Sequence, residues 1–266
     1  PRSRGLGDVY KRQPQVILVN VVDKMASMRQ AYLQQVEKLT TDATRHFAQL
    51  APLPARAEVP AVAANTSFAQ LIASDAFAAK NLVIGAQPGS IASKQALIEN
   101  LDVLLENGYK HLFLEYLPGD VFHLKLEKFN KGESWRHIKK HLKALDKAMG
   151  HEPDAPFSYL ALVRKAREKG MSIHALDGST SYQLEGIMVM SRLSPLTPRN
   201  NRIRNFYSHK ALATDMAEIG EERWIALTEQ SRMTTFDNTP GLADLHEAVA
   251  CLLYTSDAAD EEDSGD

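Results

Sequence analysis

Residues 81–94 read Asn81-Leu82-Val83-Ile84-Gly85-Ala86-Gln87-Pro88-Gly89-Ser90-Ile91-Ala92-Ser93-Lys94. This run predicts a short apolar strand, a turn at Pro88 and Gly89, and the first turn of a helix. In an open α/β sheet, ligands bind beyond the carboxyl ends of the strands, where such connections lie. We therefore expect one wall of a binding site here, with Gln87 and Ser90 as candidate substrate-binding residues.

Three later apolar runs predict the other strands of the sheet, at residues 111–117, 171–176 and 224–228. Helical patterns separate them, at residues 91–107, 134–149, 157–169 and 201–219. Strands that alternate with helices are typical of right-handed parallel crossovers. The sequence therefore predicts an α/β fold, with a mostly parallel sheet flanked by helices, and a last helix at residues 242–249.

The N-terminal part of the chain has a different pattern. Apolar residues recur at helical spacing over residues 15–49, and Pro52, Pro54 and Pro60 then interrupt any regular element. We predict an N-terminal helical extension with a linker over residues 14–60, followed by the α/β domain over residues 61–250.

The two ends of the chain resemble translated sequencing-library adaptors, at residues 3–13 and 251–261. We therefore exclude residues 1–13 and 251–266 and expect them to add nothing to the core. The alternative is a natural basic arm and a natural acidic tail. The rest of the chain is close to neutral, which gives no electrostatic argument for binding nucleic acid. The only cysteine, Cys251, lies in the excluded part, so no disulfide or thiol nucleophile is predicted.

Polar side chains follow each of the other predicted strands. Glu115 ends the second strand, Asp177 follows the third, and Glu229-Gln230-Ser231-Arg232 follow the fourth. A glutamate at the end of an apolar strand can act as a general base or a metal ligand, or can cap a neighbouring helix. Asp177 can serve the same chemistry or cap the turn that follows it.

Several common motifs are absent from the sequence. His137 and His141 share a helix face, but lysines stand where a zinc protease has its glutamate, so a solvated basic face is expected. The chain has no dinucleotide fingerprint, no Gly-x-Ser-x-Gly elbow and no apolar run of ~18 residues. The sequence predicts no cofactor, no metal and no transmembrane segment.

A set of short motifs resembles one family. They are Ile84-Gly85 with Ser93-Lys94, Leu114-Glu115-Tyr116-Leu117, Leu145-Asp146 with Gly150-His151, Ile173-His174-Ala175-Leu176-Asp177, and Pro240-Gly241-Leu242-Ala243. In order and spacing they resemble the Tiki/ChaN/erythromycin-esterase-like superfamily, and most closely the domain found in bacterial dermonecrotic-type and membrane-targeted effector toxins. The resemblance covers residues 60–250. It implies a hydrolase site and a domain of a larger bacterial protein, secreted or delivered to a host.

The chain departs from this family at the strand ends. The family's Gly-Glu-x-His is Gly85-Ala86-Gln87-Pro88 here, its Glu-His is Glu115-Tyr116, and its Gly-Asn-Ser-His is Glu229-Gln230-Ser231-Arg232. Each histidine of these motifs is therefore replaced. The resemblance leaves Glu115, Asp177 and Ser231 as candidate catalytic residues, and Gln87, Ser90, Tyr116 and Arg232 as candidate substrate-binding residues.

Three hypotheses follow for the function. The first is a degenerate hydrolase that serves as a structural or binding module beside the other domains of a toxin, with a small molecule or a host protein as ligand. The second is an active hydrolase whose site is rebuilt from carboxylates and Arg232. The third is a haem- or metal-binding module. In the first, Arg232 pairs with the carboxylates and lowers their proton affinity.

Overall fold

A computed structural model of the 266-residue chain describes residues 7–53, 63, 65–78, 80–152, 154–182 and 198–253. Its strands are β1 (Leu82–Ala86), β2 (Tyr109–Pro118), β3 (Ser172–Asp177), β4 (Arg223–Glu229) and β5 (Val249–Leu252). They form one sheet in the order β3-β2-β4-β1-β5, and each neighbouring pair is parallel. The predicted α/β fold and the adjacency of the four predicted strands are confirmed.

The helices are α1 (Gly7–Gln49), α2 (Phe68–Ile72), α3 (Ala92–Glu99), α4 (Leu101–Glu106), α5 (Gly119–Asn130), α6 (Arg136–Ala148), α7 (Tyr159–Glu168), α8 (Ser179–Tyr182), α9 (Pro198–Ile219), α10 (Gln230–Met233) and α11 (Leu242–Leu245). The N-terminal helical extension is thus a single helix. The predicted linker prolines Pro54 and Pro60, and residues 183–197 of the segment after Asp177, lie outside the described residues.

Both faces of the sheet are covered by helices, which is why its strands are mostly apolar. Successive residues of a strand point to opposite faces. Ile84 therefore packs in the larger hydrophobic cluster, with side chains of α2 to α7, whereas Val83 packs in the second cluster, with α9, α10 and α11. This arrangement fixes the carboxyl ends of β1 to β4 at one edge of the fold, where α9 and α10 also lie.

The C-terminal end of the described chain differs from the prediction. The expected helix over residues 242–249 is only α11, because the chain turns at Glu247, which has a left-handed φ of 51°, and Val249 begins β5. The expectation that residues from 251 on add nothing to the core is wrong for Cys251, which is 8% exposed and pairs with Ile84. β5 covers an edge of β1 that would otherwise be unpaired. The origin of both chain ends and the domain boundaries stay predictions.

We expect truncation after Ala250 to lower the free energy of unfolding by about 2–4 kcal/mol. The cut removes the second half of β5, with the buried Cys251 side chain and the ladder to β1. Urea denaturation followed by circular dichroism measures the loss. The matched control is truncation after Leu253, which keeps β5 whole. Equal stability of the two truncated chains would contradict a structural role for this strand.

Candidate functional site

The carboxyl ends of β2, β3 and β4 bring charged side chains together inside the protein. Glu115, Asp177 and Glu229 come from these strands, and Arg204 of α9 and Arg232 of α10 face them. We call these five residues the carboxylate–arginine cluster. All five are buried, and Asp177 is fully inaccessible to solvent. Charged groups are found buried in this way when they are paired or functional.

Glu115 has a hydrogen-bond donor on each carboxylate oxygen. Its Oε1 accepts from Arg204 Nη2 and lies 3.1 Å from Arg232 Nη1. Its Oε2 accepts from Thr228 Oγ1 at 2.7 Å and from the Glu229 amide. A carboxylate with this many donors is held in its ionised form.

Asp177 connects the end of β3 to a strained residue of β2. Its Oδ2 accepts from the Tyr116 amide at 2.8 Å, and its Oδ1 accepts from Arg232 Nη1 at 3.4 Å. Tyr116 has a φ of 64°, where β2 shifts register against β3. Left-handed backbone at a residue other than glycine is strained and occurs often at functional sites.

His141 holds the other side of this strained peptide. Its Nε2 donates to the Tyr116 carbonyl oxygen at 2.7 Å, and its ring lies against Phe122. The expectation of a solvated histidine is therefore wrong for His141, whereas His137 is exposed. The reason is tertiary: α6 packs beside the end of β2, and the loss of a regular ladder there leaves a carbonyl that needs a donor.

One face of α9 holds the arginines in place. Arg232 donates from Nε to Asn205 Oδ1 at 3.1 Å and from Nη2 to Ser208 Oγ at 2.5 Å. Arg204, on the same helix, donates from Nη1 to Glu229 Oε2 at 3.1 Å. Positions 204, 205 and 208 fall close together on a helix surface, so α9 presents one polar stripe to the strand ends.

The cluster contains one carboxylate more than it has guanidinium groups. Burial raises the pKa of Glu115, but Arg204 and Arg232 lower it more, so its pKa lies below the usual value. Burial and the charge of Glu115 raise the pKa of Glu229, which the arginines offset only in part. Burial lowers the pKa of Arg204, but the surrounding carboxylates bring it well above the usual value. Of Glu115 and Glu229, Glu229 is therefore the carboxylate that takes up a proton first as the pH falls.

The other predicted site residues have separate positions. Gln87 follows β1 and is exposed. Ser90 lies in the next turn, where its Oγ accepts from the Ala92 amide at 3.3 Å and its carbonyl accepts from buried Lys94. Ser231 Oγ is buried with no hydrogen-bond partner among the described residues. The structure thus brings Glu115, Tyr116, Asp177 and Arg232 together, and the roles of all seven residues stay predictions.

Sequence reasoning missed two members of the cluster. Glu229 is the last residue of β4 and pairs in register with Ala86 at the end of β1. Its position at the strand ends was therefore predictable, although no role was assigned to it. Arg204 lies inside a long helix and carried no signal, because only the packing of α9 on the sheet brings it to Glu115.

The one cysteine of the sequence is poorly placed to attack a substrate. Cys251 is buried in β5, and burial raises the pKa of its thiol to about 11. No set of three or more histidine, cysteine, aspartate or glutamate side chains is placed to hold a metal ion in the described part of the chain. No helix within those same ranges is long and apolar enough to cross a membrane. The geometry is that of a buried ion-pair network.

No protein-family model and no curated protein matches the chain. Solved structures do resemble it. The C-terminal region of Pasteurella multocida toxin gives a TM-score of 0.57 at 16% identity, over 73% of this chain and 25% of that one. A structure described as one of bacterial protein toxins gives a TM-score of 0.50 at 19% identity, over 73% of this chain and 37% of that one. RRSP, a MARTX toxin effector domain from Vibrio vulnificus, gives a TM-score of 0.49 at 18% identity, over 66% of this chain and 34% of that one.

The chain therefore spans between about a quarter and about two fifths of these longer proteins. At such low identity the likeness concerns the fold alone. The fold of this chain is similar to that of domains in bacterial protein toxins.

Proposed function

We propose that this chain is a toxin-effector-associated domain of the Tiki/ChaN-like kind, in which the ancestral hydrolase site is replaced by an ion-pair network. It works as a structural or binding module within a larger bacterial protein that is secreted or delivered to a host. The observation that carries the proposal is that both oxygens of Glu115 already accept hydrogen bonds from buried donors.

Hydrolysis at neutral pH needs a group that can accept a proton. General acid–base help is worth ~10²–10⁴-fold in rate, and histidine is the side chain best suited to it. Arg232 stands where the resemblance places a histidine, and a guanidinium cannot accept a proton. The lowered pKa of Glu115 also makes it a weak base. Glu115 is thus suited to holding strand ends together rather than to acting as a base.

Thiol chemistry is also poorly supported in this chain. The Pasteurella toxin structure is described as having a thiol-protease-like catalytic triad in its C-terminal region. The one cysteine here is buried in β5 with a raised pKa, and a thiol rather than a thiolate is a poor nucleophile.

One observation favours the second hypothesis, an active hydrolase with a rebuilt site. The pKa of Glu229 is raised by burial and by the charge of Glu115, which favours a role as a general acid that donates a proton. Arg204 beside it would then bind an anionic substrate. The described residues offer no comparable support for a haem- or metal-binding module.

A hydrolysis screen separates these two proposals. We expect the unmodified chain to give background rates on ester and amide substrates at pH 5–8, and Glu229→Gln to give the same rates. Circular dichroism on each protein confirms that it is folded. Turnover by the unmodified chain that falls at least about 100-fold in folded Glu229→Gln would establish the rebuilt enzyme instead.

A further inference from the structure

Helix α1 contacts the domain through a small cluster of its own on α9 and through a hydrogen bond of 3.3 Å, which Thr180 Oγ1 of α8 donates to Gln35 Oε1. Ala43, which is fully buried, packs with Ile203 and Phe206 of α9, and Leu39 and Phe47 lie against them. These side chains belong to neither of the two clusters that line the sheet. Because the contact is small and separate, α1 can leave α9 without exposing the main core.

Three histidines lie beside this cluster, each from a different element. His46 is on α1, His209 is on α9, and His246 ends α11. The ring centroids of His46 and His209 are 5.1 Å apart, and those of His209 and His246 are 4.8 Å apart. His209 Nδ1 and His246 Nε2 share a hydrogen bond of 3.0 Å, and His46 Nε2 is buried with no partner among the described residues.

Burial first, and then nearby cations, oppose the protonation of the three histidines. Burial and Lys210 lower the pKa of His46, and burial, His46 and Lys210 lower that of His209 to about 4. Burial and His209 lower the pKa of His246 to about 3. The other neighbours are the exposed Asp42–Arg45 pair of α1, Asp244 of α11, which accepts from Thr235, Glu247 beside His246, and the uncharged Trp224 of β4.

When the neutral His209–His246 pair has taken up two protons, neither facing nitrogen can accept their hydrogen bond. Both facing nitrogens then carry a hydrogen, so the link between α9 and α11 is lost, and two imidazolium ions meet beside Lys210. The charged His209 ring also lies 5.1 Å from the ring of His46, which places this charge at the contact between α9 and α1. We propose that His46, His209 and His246 form a pH-sensitive latch, which holds α1 against α9 at neutral pH and releases it in acid.

The pH window follows from the sign of the shifts. Above the ordinary histidine pKa of ~6.5, docked and released states are equally unprotonated, and pH has no effect. Below that value the released state binds protons that the docked state refuses. Each pH unit between about 6.5 and 4 therefore favours release by up to about tenfold for a histidine such as His209.

Release would reach the carboxylate–arginine cluster through α9. One face of this helix supplies Arg204, Asn205 and Ser208 to the cluster, and Ile203 and Phe206 contact α1. The latch itself is independent of whether the cluster binds a ligand or catalyses a reaction, since within the described part of the chain its histidines form no hydrogen bond with the cluster residues.

Thiol labelling tests the latch directly. In a chain carrying Ala43→Cys and Cys251→Ser, the only thiol lies at the α1–α9 contact and is protected while α1 is docked. We expect its labelling by 4,4′-dithiodipyridine to accelerate about tenfold or more between pH 7.5 and pH 5. The parent chain, whose only thiol is Cys251 in β5, reports on opening of the sheet and should stay protected. Met28→Cys with Cys251→Ser corrects for the pH dependence of the reagent at an exposed site of α1.

Histidine variants in the Ala43→Cys chain decide the cause. Adding His209→Gln and His246→Gln should reduce the acceleration to less than about threefold, whereas His123→Gln and His137→Gln, both exposed, should leave it intact. The chain with His209→Gln and His246→Gln could already label rapidly at pH 7.5 because α1 is released. In that case His46→Phe decides, since residue 43 should then label slowly at pH 7.5 and accelerate less at pH 5. Any of three results would overturn the proposal. They are simultaneous exposure of residues 43 and 251, no acceleration at residue 43, and an acceleration that the latch variants leave unchanged.

Discussion

Replacing Arg232 by methionine is expected to lower the free energy of unfolding by about 3–5 kcal/mol. Arg232 is 1% exposed and lies between Glu115 and Asp177. Without it, three buried carboxylates share the single guanidinium of Arg204, and Asn205 Oδ1 and Ser208 Oγ lose the donor from which they accept. Urea denaturation at pH 7 measures the loss. The difference in free energy of unfolding between Arg232→Met and the unmodified chain should be smaller at pH 5, because protonation of the unpaired carboxylates relieves their repulsion.

Two further variants separate charge from packing at this position. Arg232→Met combined with Asp177→Asn removes one charge of each sign, so we expect it to recover part of the lost stability. Arg136→Met removes a cation from the exposed face of α6 and should change stability little. A loss of less than about 1 kcal/mol in Arg232→Met would mean that water screens the cluster and that it is not a buried network.

The parallel sheet was predictable because its strands are buried on both faces. Strand β1 consists of apolar residues, β4 contains the apolar run of residues 224–227, and glycines end the helices that precede β2, β3 and β4. Strand β5 was missed for two physical reasons. It has only four residues, and it follows α11 so closely that its apolar residues continue a helical pattern. Pairing with β1, a tertiary effect, decides its conformation.

The site was predictable only where topology alone places a side chain. Glu115 and Asp177 follow from the rule that parallel strands end at one edge, and Arg232 follows from its position in the residues directly after β4. The contribution of α9 was not predictable, since any of its polar residues could have faced the sheet. The left-handed backbone of Tyr116 was also hidden, because tyrosine gives no sign of a positive φ in sequence.

Replacing Gly241 by alanine is expected to destabilise the protein by about 3 kcal/mol or more. A Cβ atom at this position would lie 2.3 Å from the Thr234 carbonyl carbon, and 2.4 Å from the Thr234 nitrogen and Cα. These are backbone atoms, so no side-chain rotation relieves the overlap. The φ of Gly241 is −83°, which any residue adopts, so close approach rather than backbone strain requires glycine here. A domain of this size should lose about 2–4 °C in Tm for each kcal/mol.

The same change should disturb the cluster, because Thr234 directly follows α10, which carries Arg232. Asn205, a partner of Arg232, also donates to the Pro240 carbonyl at 2.9 Å, so both sides of the overlap connect to the site. Gly132→Ala is the matched control. Gly132 has a φ of 89°, and apart from the glycine itself and its chain neighbours no atom of the described residues lies within 4 Å of the position that a Cβ would take. Alanine there therefore costs only the roughly 1–2 kcal/mol of left-handed backbone. Equal losses of Tm in the two variants would show that Thr234 moves aside freely and that the turn after α10 does not fix Arg232.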